Sequence, residues 1–204
     1  MKKHPSSQKT ARPRPRLAAG LALLALAVTT AGADVVFAPF FRDNAVLQRE
    51  KPVPVWGRAD PGEKVTVTFQ AQTAAATADD MGRWSVTLAP MPANGTPAEL
   101  VAKGKNTVTA RNILVGEVWL CSGQSNMAMT VDRTLNAGAE IADAANYPLI
   151  RQFKTKLTSA ALPCDDVEGA WEVAGPSTAG GFSAVAYYFG RELFKALNVP
   201  VGLL

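Results

Sequence analysis

The side chain with the clearest chemical potential in this sequence is Ser125, which lies between Gln124 and Asn126 in the run GQSNM. The apolar run 118–121 before it is typical of a central strand in a parallel sheet, and ligands bind at the carboxyl ends of such strands. Gly123 permits a tight turn at this point, and a helix that follows can offer N–H groups to a developing oxyanion. The arrangement suits the nucleophile of a serine hydrolase.

Position alone leaves other interpretations of these residues open. A serine after a strand is often only the cap of a helix. Gln124 and Asn126 either orient the serine or contact the substrate, or they merely fix the turn. Met127 stands where the G-x-S-x-G elbow has its second glycine, so an ordinary α/β-hydrolase is disfavoured.

The elements that must position Ser125 follow a strand and helix rhythm from residue 113 onward. The run 113–121 predicts one strand, 149–153 a second and 199–204 a third. Residues 135–145 have helical composition, and Ser183 can cap a helix to Leu197 with apolar residues at three- and four-residue spacing. This alternation predicts an α/β domain over residues 113–204.

Residues 34–112 are strand-like and contain no helical stripe. The segments 53–57, 64–69, 84–88 and 106–110 predict strands, with turns at 60–62 and 79–82 and a polar loop at 94–95. We expect a small all-β, sandwich-like domain without chemistry of its own. The alternative is a carbohydrate-binding or adhesion module that uses Trp56 and Trp84 as sugar-stacking surfaces.

Residues 1–33 have the pattern of a signal peptide. Six basic residues and no acidic one precede an apolar run at 17–28, and Ala31, Gly32 and Ala33 resemble a cleavage site. The apolar run is shorter than the roughly 20 residues that span a bilayer. We therefore expect an exported, periplasmic or secreted protein with no membrane attachment after cleavage, the alternative being a retained anchor.

Charge and cysteine content exclude several classes of partner. Without the six basic residues of the predicted signal, the chain has 15 basic and 17 acidic residues. Nucleic-acid binding therefore loses its electrostatic support. Cys121 lies in an apolar run and is expected to pack as a small hydrophobic residue, although export permits a disulfide with Cys164. Because Cys and His do not cluster, a structural zinc site has no ligands.

The run 116–127 (GEVWLCSGQSNM) resembles the active-serine block of the sialate O-acetylesterase family, within the SGNH-type hydrolases. The resemblance extends over most of residues 35–204. Other similar runs are 40–44, 46–49, 52–57, 82–84 and 181–193.

This resemblance implies an SGNH-hydrolase-like parallel sheet with helices and a serine carbohydrate O-acetylesterase. Ser125 would attack the acetyl group, a histidine would act as base and then as acid, and water would hydrolyse the acetyl-enzyme. The substrates would be O-acetylated sialic acids or other acetylated glycans, with no metal or organic cofactor. The backbone N–H of Ser125 would be one oxyanion donor. From the run GGFS we take the N–H of Ser183 as a candidate for the second donor, the alternative being a plain helix cap.

The predicted mature chain lacks the base that this mechanism needs. The only histidine is His4, within the predicted signal. In the resembling family the histidine and aspartate come from the end of the catalytic domain. We therefore expect residues 113–204 to be an incomplete domain and the chain to be an inactive fragment, the alternative being a degenerate pseudo-esterase.

Overall fold

The computed structural model describes residue 1, residues 34–162, residue 164 and residues 166–204. Apart from Met1, the predicted signal segment lies outside the described residues, so export stays a prediction. Among the described residues, none of the helices has the length and apolar character needed to cross a membrane.

Strands dominate the described chain. Their bounds are β1 Val36–Phe37, β2 Val46–Gln48, β3 Val53–Arg58, β4 Lys64–Phe69, β5 Gln72–Thr77, β6 Arg83–Leu88, β7 Asn94–Lys103, β8 Thr107–Trp119, β9 Ile150–Thr155, β10 Gly169–Val173 and β11 Val201–Leu203. The helices are α1 Ser125–Ala128, α2 Ala137–Asp143 and α3 Ala184–Leu197, with 3₁₀ turns at Val131–Arg133, Ala144–Asn146 and Ala179–Gly181.

The β-rich first part follows the predicted alternation. In β4 and β6 every second residue is buried, and these inward residues pack in one apolar core. The predicted polar loop at 94–95 is wrong, because Asn94 already begins β7. The sequence patterns also missed β5 and β10. The run TAAAT in β5 carries few of the β-branched and aromatic residues that mark a strand, and pairing with β4 decides its conformation.

In the described part of the chain, β1, β3 and β6 form a small antiparallel sheet, and a larger sheet has the order β10-β9-β11-β8-β7-β4-β5. Strand β2 also pairs with β8. The predicted α/β architecture with a preceding β region is confirmed, but the larger sheet is mixed. Strand β11 is parallel to β8 and β9, whereas β7 and β10 are antiparallel to their neighbours.

Strand β8 runs through the boundary predicted between residues 112 and 113. At this point Asn112 has a left-handed backbone (φ 58°), a conformation that asparagine tolerates better than most residues. Its side-chain amide donates to Asn44 Oδ1, and its Oδ1 and carbonyl oxygen accept from the guanidinium of Arg151 on β9. The two predicted domains therefore share strand β8. Hydrogen bonds of Asn112 connect Asn44 of the first predicted domain to Arg151 of the second.

Helix α3 has the predicted bounds, with Ser183 as N-cap and Asn198 as the left-handed C-cap. Its buried face differs from the predicted stripe, since Val185, Phe189 and Leu197 are 40–45% exposed. Ala184, Ala186, Tyr187 and Gly190 are buried instead, and a Cβ on Gly190 would come within 2.9 Å of Leu203 on β11. The absence of a side chain at position 190 lets the helix approach the sheet closely.

Helix α2 is shorter than the predicted 135–145. Asn136 takes a left-handed conformation (φ 59°), which prevents the helix from starting earlier, and the chain tightens into a 3₁₀ turn after Asp143. Arg191 of α3 pairs with Glu140 of α2 at 2.5 Å. This ion pair, 15% and 28% exposed at its two side chains, ties the short helix to the longer one.

Gly116 marks the closest approach of β11 to β8. A Cβ at this position would lie 2.0 Å from the carbonyl oxygen of Pro200, which already accepts from the N–H of Glu117 at 2.9 Å. We expect Gly116→Ala to lower the free energy of unfolding by about 1–3 kcal/mol, because the clash pushes β11 away from β8. Denaturant unfolding measures the difference.

Gly138→Ala is the matched control. Gly138 lies in α2, where an added Cβ would meet no atom within 4 Å, and alanine favours a helix by up to about 1 kcal/mol over glycine. Equal effects of the two substitutions would contradict the close approach at Gly116.

Candidate functional site

Ser125 lies at the carboxyl edge of the parallel strands β8, β9 and β11. Strand β8 ends at Trp119, which is level with Leu203 of β11, and Leu203 is level with Gln152 of β9. Because these three strands are parallel, their carboxyl ends meet at one edge, where a ligand can reach the loops. The chain leaves β8 at this edge, and Ser125 begins α1 as an exposed residue. The structure therefore places Ser125 after a central strand, as predicted.

The loop between β8 and α1 folds back onto the helical turn. A Cβ on Gly123 would lie 3.0 Å from Met127 Cβ, so the glycine leaves room for this turn. The Gln124 carbonyl accepts from the N–H of Ala128, and its side chain makes no cap bond. Gln124 and Asn126 are exposed on either side of Ser125. A side chain in this position can contact a ligand, as predicted, and neither shows a side-chain bond that fixes the turn.

Ser183 fastens this turn to the N-terminus of α3. Its Oγ donates to the Met127 carbonyl oxygen at 2.6 Å and accepts from the N–H of Ala186 at 3.4 Å. Next to it, the N–H of Ala184 donates to the Met129 carbonyl oxygen at 2.8 Å. The helix-cap alternative for Ser183 is therefore confirmed, and the same hydroxyl holds the turn that begins at Ser125.

The backbone N–H of Ser183 has a partner that the sequence patterns did not foresee. It donates to Oε1 of Gln152 at 3.1 Å. An ester oxygen would have to compete for this N–H, and its predicted role as an oxyanion donor stays a prediction. The signal that could have drawn attention to Gln152 is its place in the apolar strand 149–153, since a buried amide needs a partner.

A groove of about 330 Å³ lies beside the loop between β8 and α1. Residues from four parts of the chain line it: Cys121, Ser122, Gly123, Gln124, Met127, Ala128, Gln152, Phe153, Lys154, Thr155, Leu157, Ser183, Ala186, Leu203 and Leu204. Three of the predicted site residues, Gly123, Gln124 and Ser183, thus meet here. Ser125 and Asn126 lie on the same loop and helical turn.

No family model matches the chain. Sialate O-acetylesterase of Mus musculus is 36% identical over 94% of this chain, and that of Homo sapiens is 34% identical over 90%. The crystal structure of a carbohydrate acetylesterase from Xanthomonas citri superposes with a TM-score of 0.80, at 35% identity over 83% of this chain. The chain is a relative of the sialate O-acetylesterases.

The chain spans 39% of the length of these sialate O-acetylesterases and 39% of the Xanthomonas citri chain. Its relatives bear the names of carboxylic ester hydrolases, and its fold superposes on part of the carbohydrate acetylesterase structure. The resemblance inferred from the run 116–127 is therefore confirmed.

An esterase that uses a serine nucleophile needs a base, and residues 34–204 contain no histidine. The two lysines close to the site in sequence are engaged elsewhere. Lys154 donates to the Gly181 carbonyl oxygen at 3.1 Å, and Lys156 pairs with Glu168 at 2.8 Å. Among the described residues, no group of three or more His, Cys, Asp or Glu side chains could hold a metal ion.

The tryptophans of the rival, sugar-binding interpretation differ in their exposure. Trp84 is only 2% exposed, and its indole N–H donates to the Arg58 carbonyl oxygen at 2.9 Å. Trp56 is 38% exposed and contacts Phe41 edge to face, with 4.7 Å between the ring centroids. Both border a cavity of about 670 Å³. Trp84 therefore packs in the core, as the alternative interpretation expected. Of these two tryptophans, Trp56 is the one that is exposed enough to stack on a sugar.

The two cysteines are free thiols in the structure, as expected for Cys121. Cys121 is half-buried in the groove, and burial raises the pKa of its thiol. Cys164 is exposed. The thiolate is the reactive form, so Cys121 should react more slowly than Cys164 at neutral pH.

We expect a chromogenic disulfide reagent to titrate two thiols in two phases at pH 8, the slow one from Cys121. Raising the pH to 10 should speed the slow phase, because more of the Cys121 thiol ionises as the pH approaches its raised pKa. Cys164→Ser should remove only the fast phase. A single fast phase in Cys164→Ser, or fewer than two thiols in the unchanged protein, would contradict the assignment.

Ser183→Ala removes both the helix cap and the bond to the Met127 carbonyl oxygen. We expect a loss of about 1–2 kcal/mol in the free energy of unfolding and faster hydrogen exchange at Ala186. Ser177→Ala, at an exposed position shortly before α3, is the control and should change neither quantity. An unchanged exchange rate at Ala186 in Ser183→Ala would show that the hydroxyl does not cap α3.

Proposed function

We propose that this chain is part of a serine carbohydrate O-acetylesterase in which Ser125 is the nucleophile. The observation that carries the proposal is the exposed position of Ser125 at the carboxyl edge of the parallel strands, beside a groove. Similarity to sialate O-acetylesterases over at least 90% of the chain supports it.

In the proposed reaction Ser125 Oγ attacks the carbonyl carbon of an acetyl ester and forms a tetrahedral intermediate. The carbon–oxygen bond to the sugar then breaks, and the sugar hydroxyl leaves with a proton. Water hydrolyses the acetyl-enzyme to acetate and restores the serine. Gly123 and Gln124 form the wall of the groove next to the serine, and Asn126 is placed to contact the sugar.

The base in this reaction comes from outside residues 34–204, since this segment has no histidine. A histidine oriented by an aspartate is the base that the resemblance to SGNH-type hydrolases implies. Residues 34–204 alone are therefore proposed to be inactive, although they contain the nucleophile.

The substrate class proposed is the O-acetylated glycans, with O-acetylated sialic acid as the first to test, because the named relatives include sialate O-acetylesterases. The signal-like sequence of residues 1–33 supports export, which would bring the protein to extracellular or periplasmic glycans.

The test compares the full product of the gene with residues 34–204 on p-nitrophenyl acetate, O-acetylated sialic acid and acetylated xylan. We expect turnover by the gene product, none by residues 34–204, and a fall of about 10⁴-fold or more in kcat for Ser125→Ala in the gene product. Ser177→Ala should retain full activity.

Three results would overturn the proposal or a part of it. Activity that persists in Ser125→Ala would exclude this serine as nucleophile. A folded gene product that releases no acetate from any of the three substrates would favour the pseudo-esterase alternative, and turnover by residues 34–204 would show that no external base is needed.

A further inference from the structure

Gln152 is a buried amide with an unpartnered donor beside the nucleophile loop. Only 6% of the residue is exposed, and it lines the groove together with Gly123 and Gln124. We infer that its Nε2 donates a hydrogen bond to the acyl oxygen of the ester held at Ser125. This inference rests on the proposed function and assigns an oxyanion donor within it.

The orientation of the amide follows from its partner. The backbone N–H of Ser183 can only donate, so the atom that it meets at 3.1 Å must be Oε1 of Gln152. Nε2 therefore lies on the opposite branch of the carboxamide. Among the described residues it has no hydrogen-bond partner, and it is not one of the fully buried side-chain atoms that lack one, so it is accessible from the groove that Gln152 lines. An acceptor that enters the groove can therefore take a hydrogen bond from it.

Two hydrogen bonds connect Gln152 to the turn that carries the nucleophile. Gln152 accepts from the N–H of Ser183, and Ser183 Oγ donates to the Met127 carbonyl oxygen. Met127 follows Ser125 by two residues in α1, a separation of roughly 3 Å along a helix axis. The carboxamide is thus fixed relative to the serine through bonds that do not depend on a bound ligand.

The N-terminus of α3 strengthens this donor. Ser183 is the N-cap of a 14-residue helix, whose N-terminal end carries a partial positive charge. Its N–H polarises the Gln152 carbonyl group, and polarisation of one end of an amide makes the N–H at the other end a better donor. The helix end therefore acts on the groove through Gln152, instead of through the free N–H of Ser183.

A neutral donor in this position suits acyl transfer. When Ser125 Oγ bonds to the carbonyl carbon, the electron pair of the C=O bond moves to the oxygen, which gains negative charge. A preorganised donor that meets this oxygen stabilises the transition state more than the ester itself, so it raises kcat with little effect on KM. The nearby Lys154 already donates to the Gly181 carbonyl oxygen.

The test uses two substitutions in the full gene product. Gln152→Met removes both hydrogen-bonding ends, whereas Gln152→Glu keeps the acceptor for the N–H of Ser183 and replaces the donor with a carboxylate oxygen. We expect each to lower kcat on p-nitrophenyl acetate by about 10²–10³-fold, with KM changed by less than about threefold. A melting temperature close to that of the unchanged protein in Gln152→Glu shows that the fold survives.

Gln72 provides the matched controls. Its exposed carboxamide accepts from the Ala89 N–H at 2.7 Å and donates to the Ala89 carbonyl oxygen at 3.3 Å, far from the groove in sequence. Gln72→Met and Gln72→Glu should leave kcat unchanged. In protein labelled with ¹⁵N at glutamine, the side-chain amide signal of Gln152 should shift when an O-acetylated sugar is added, and that of Gln72 should not.

The outcomes separate this inference from the proposed function. Normal kcat in both Gln152 variants, or an effect confined to KM, would overturn the oxyanion role while the esterase activity stands. An inactive unchanged protein would refute the proposed function, and the Gln152 signal would then decide the contact: a shift supports it, and no shift overturns it.

Discussion

Strand β8 constrains the rest of the structure. It pairs with β7, β2 and β11, and hydrogen bonds continue past its end, where the N–H of Cys121 donates to the Leu204 carbonyl oxygen at 2.6 Å. A strand held on both sides cannot slide without breaking several of these bonds and exposing buried apolar residues. The loop that carries Ser125 therefore leaves the sheet from a fixed point, and Gly116 permits this close packing.

The second constraint is the contact between this loop and α3. Ser183 bonds through Oγ to Met127 and through its N–H to Gln152, so one residue joins helix α3, the short helix α1 and strand β9. A single turn such as α1 is too short to be stable alone. Its conformation depends on partners that are distant in sequence but lie together at the carboxyl edge of the sheet.

A buried arginine links the two parts that the sequence patterns predicted as separate domains. Arg151 is 3% exposed and binds the backbone and side chain of Asn112, and burial lowers the pKa of its guanidinium to about 10. The guanidinium is still protonated at neutral pH, so a buried positive charge has the two oxygens of Asn112 as its partners. Since Asn112 also bonds to Asn44, the β-rich part and the site-bearing part share one polar network.

The sequence by itself determined the resemblance carried by the run around Ser125 and several of the elements: the alternating strands β4 and β6, and α3 with its Ser183 cap. These elements follow from local patterns, because side-chain alternation and capping act over a few residues. Only the tertiary structure decided β5, the buried face of α3, the mixed sheet and the role of Gln152. Each depends on residues far apart in the chain: β5 on pairing with β4, α3 on the fit of Gly190 against Leu203, and Gln152 on the backbone N–H of Ser183.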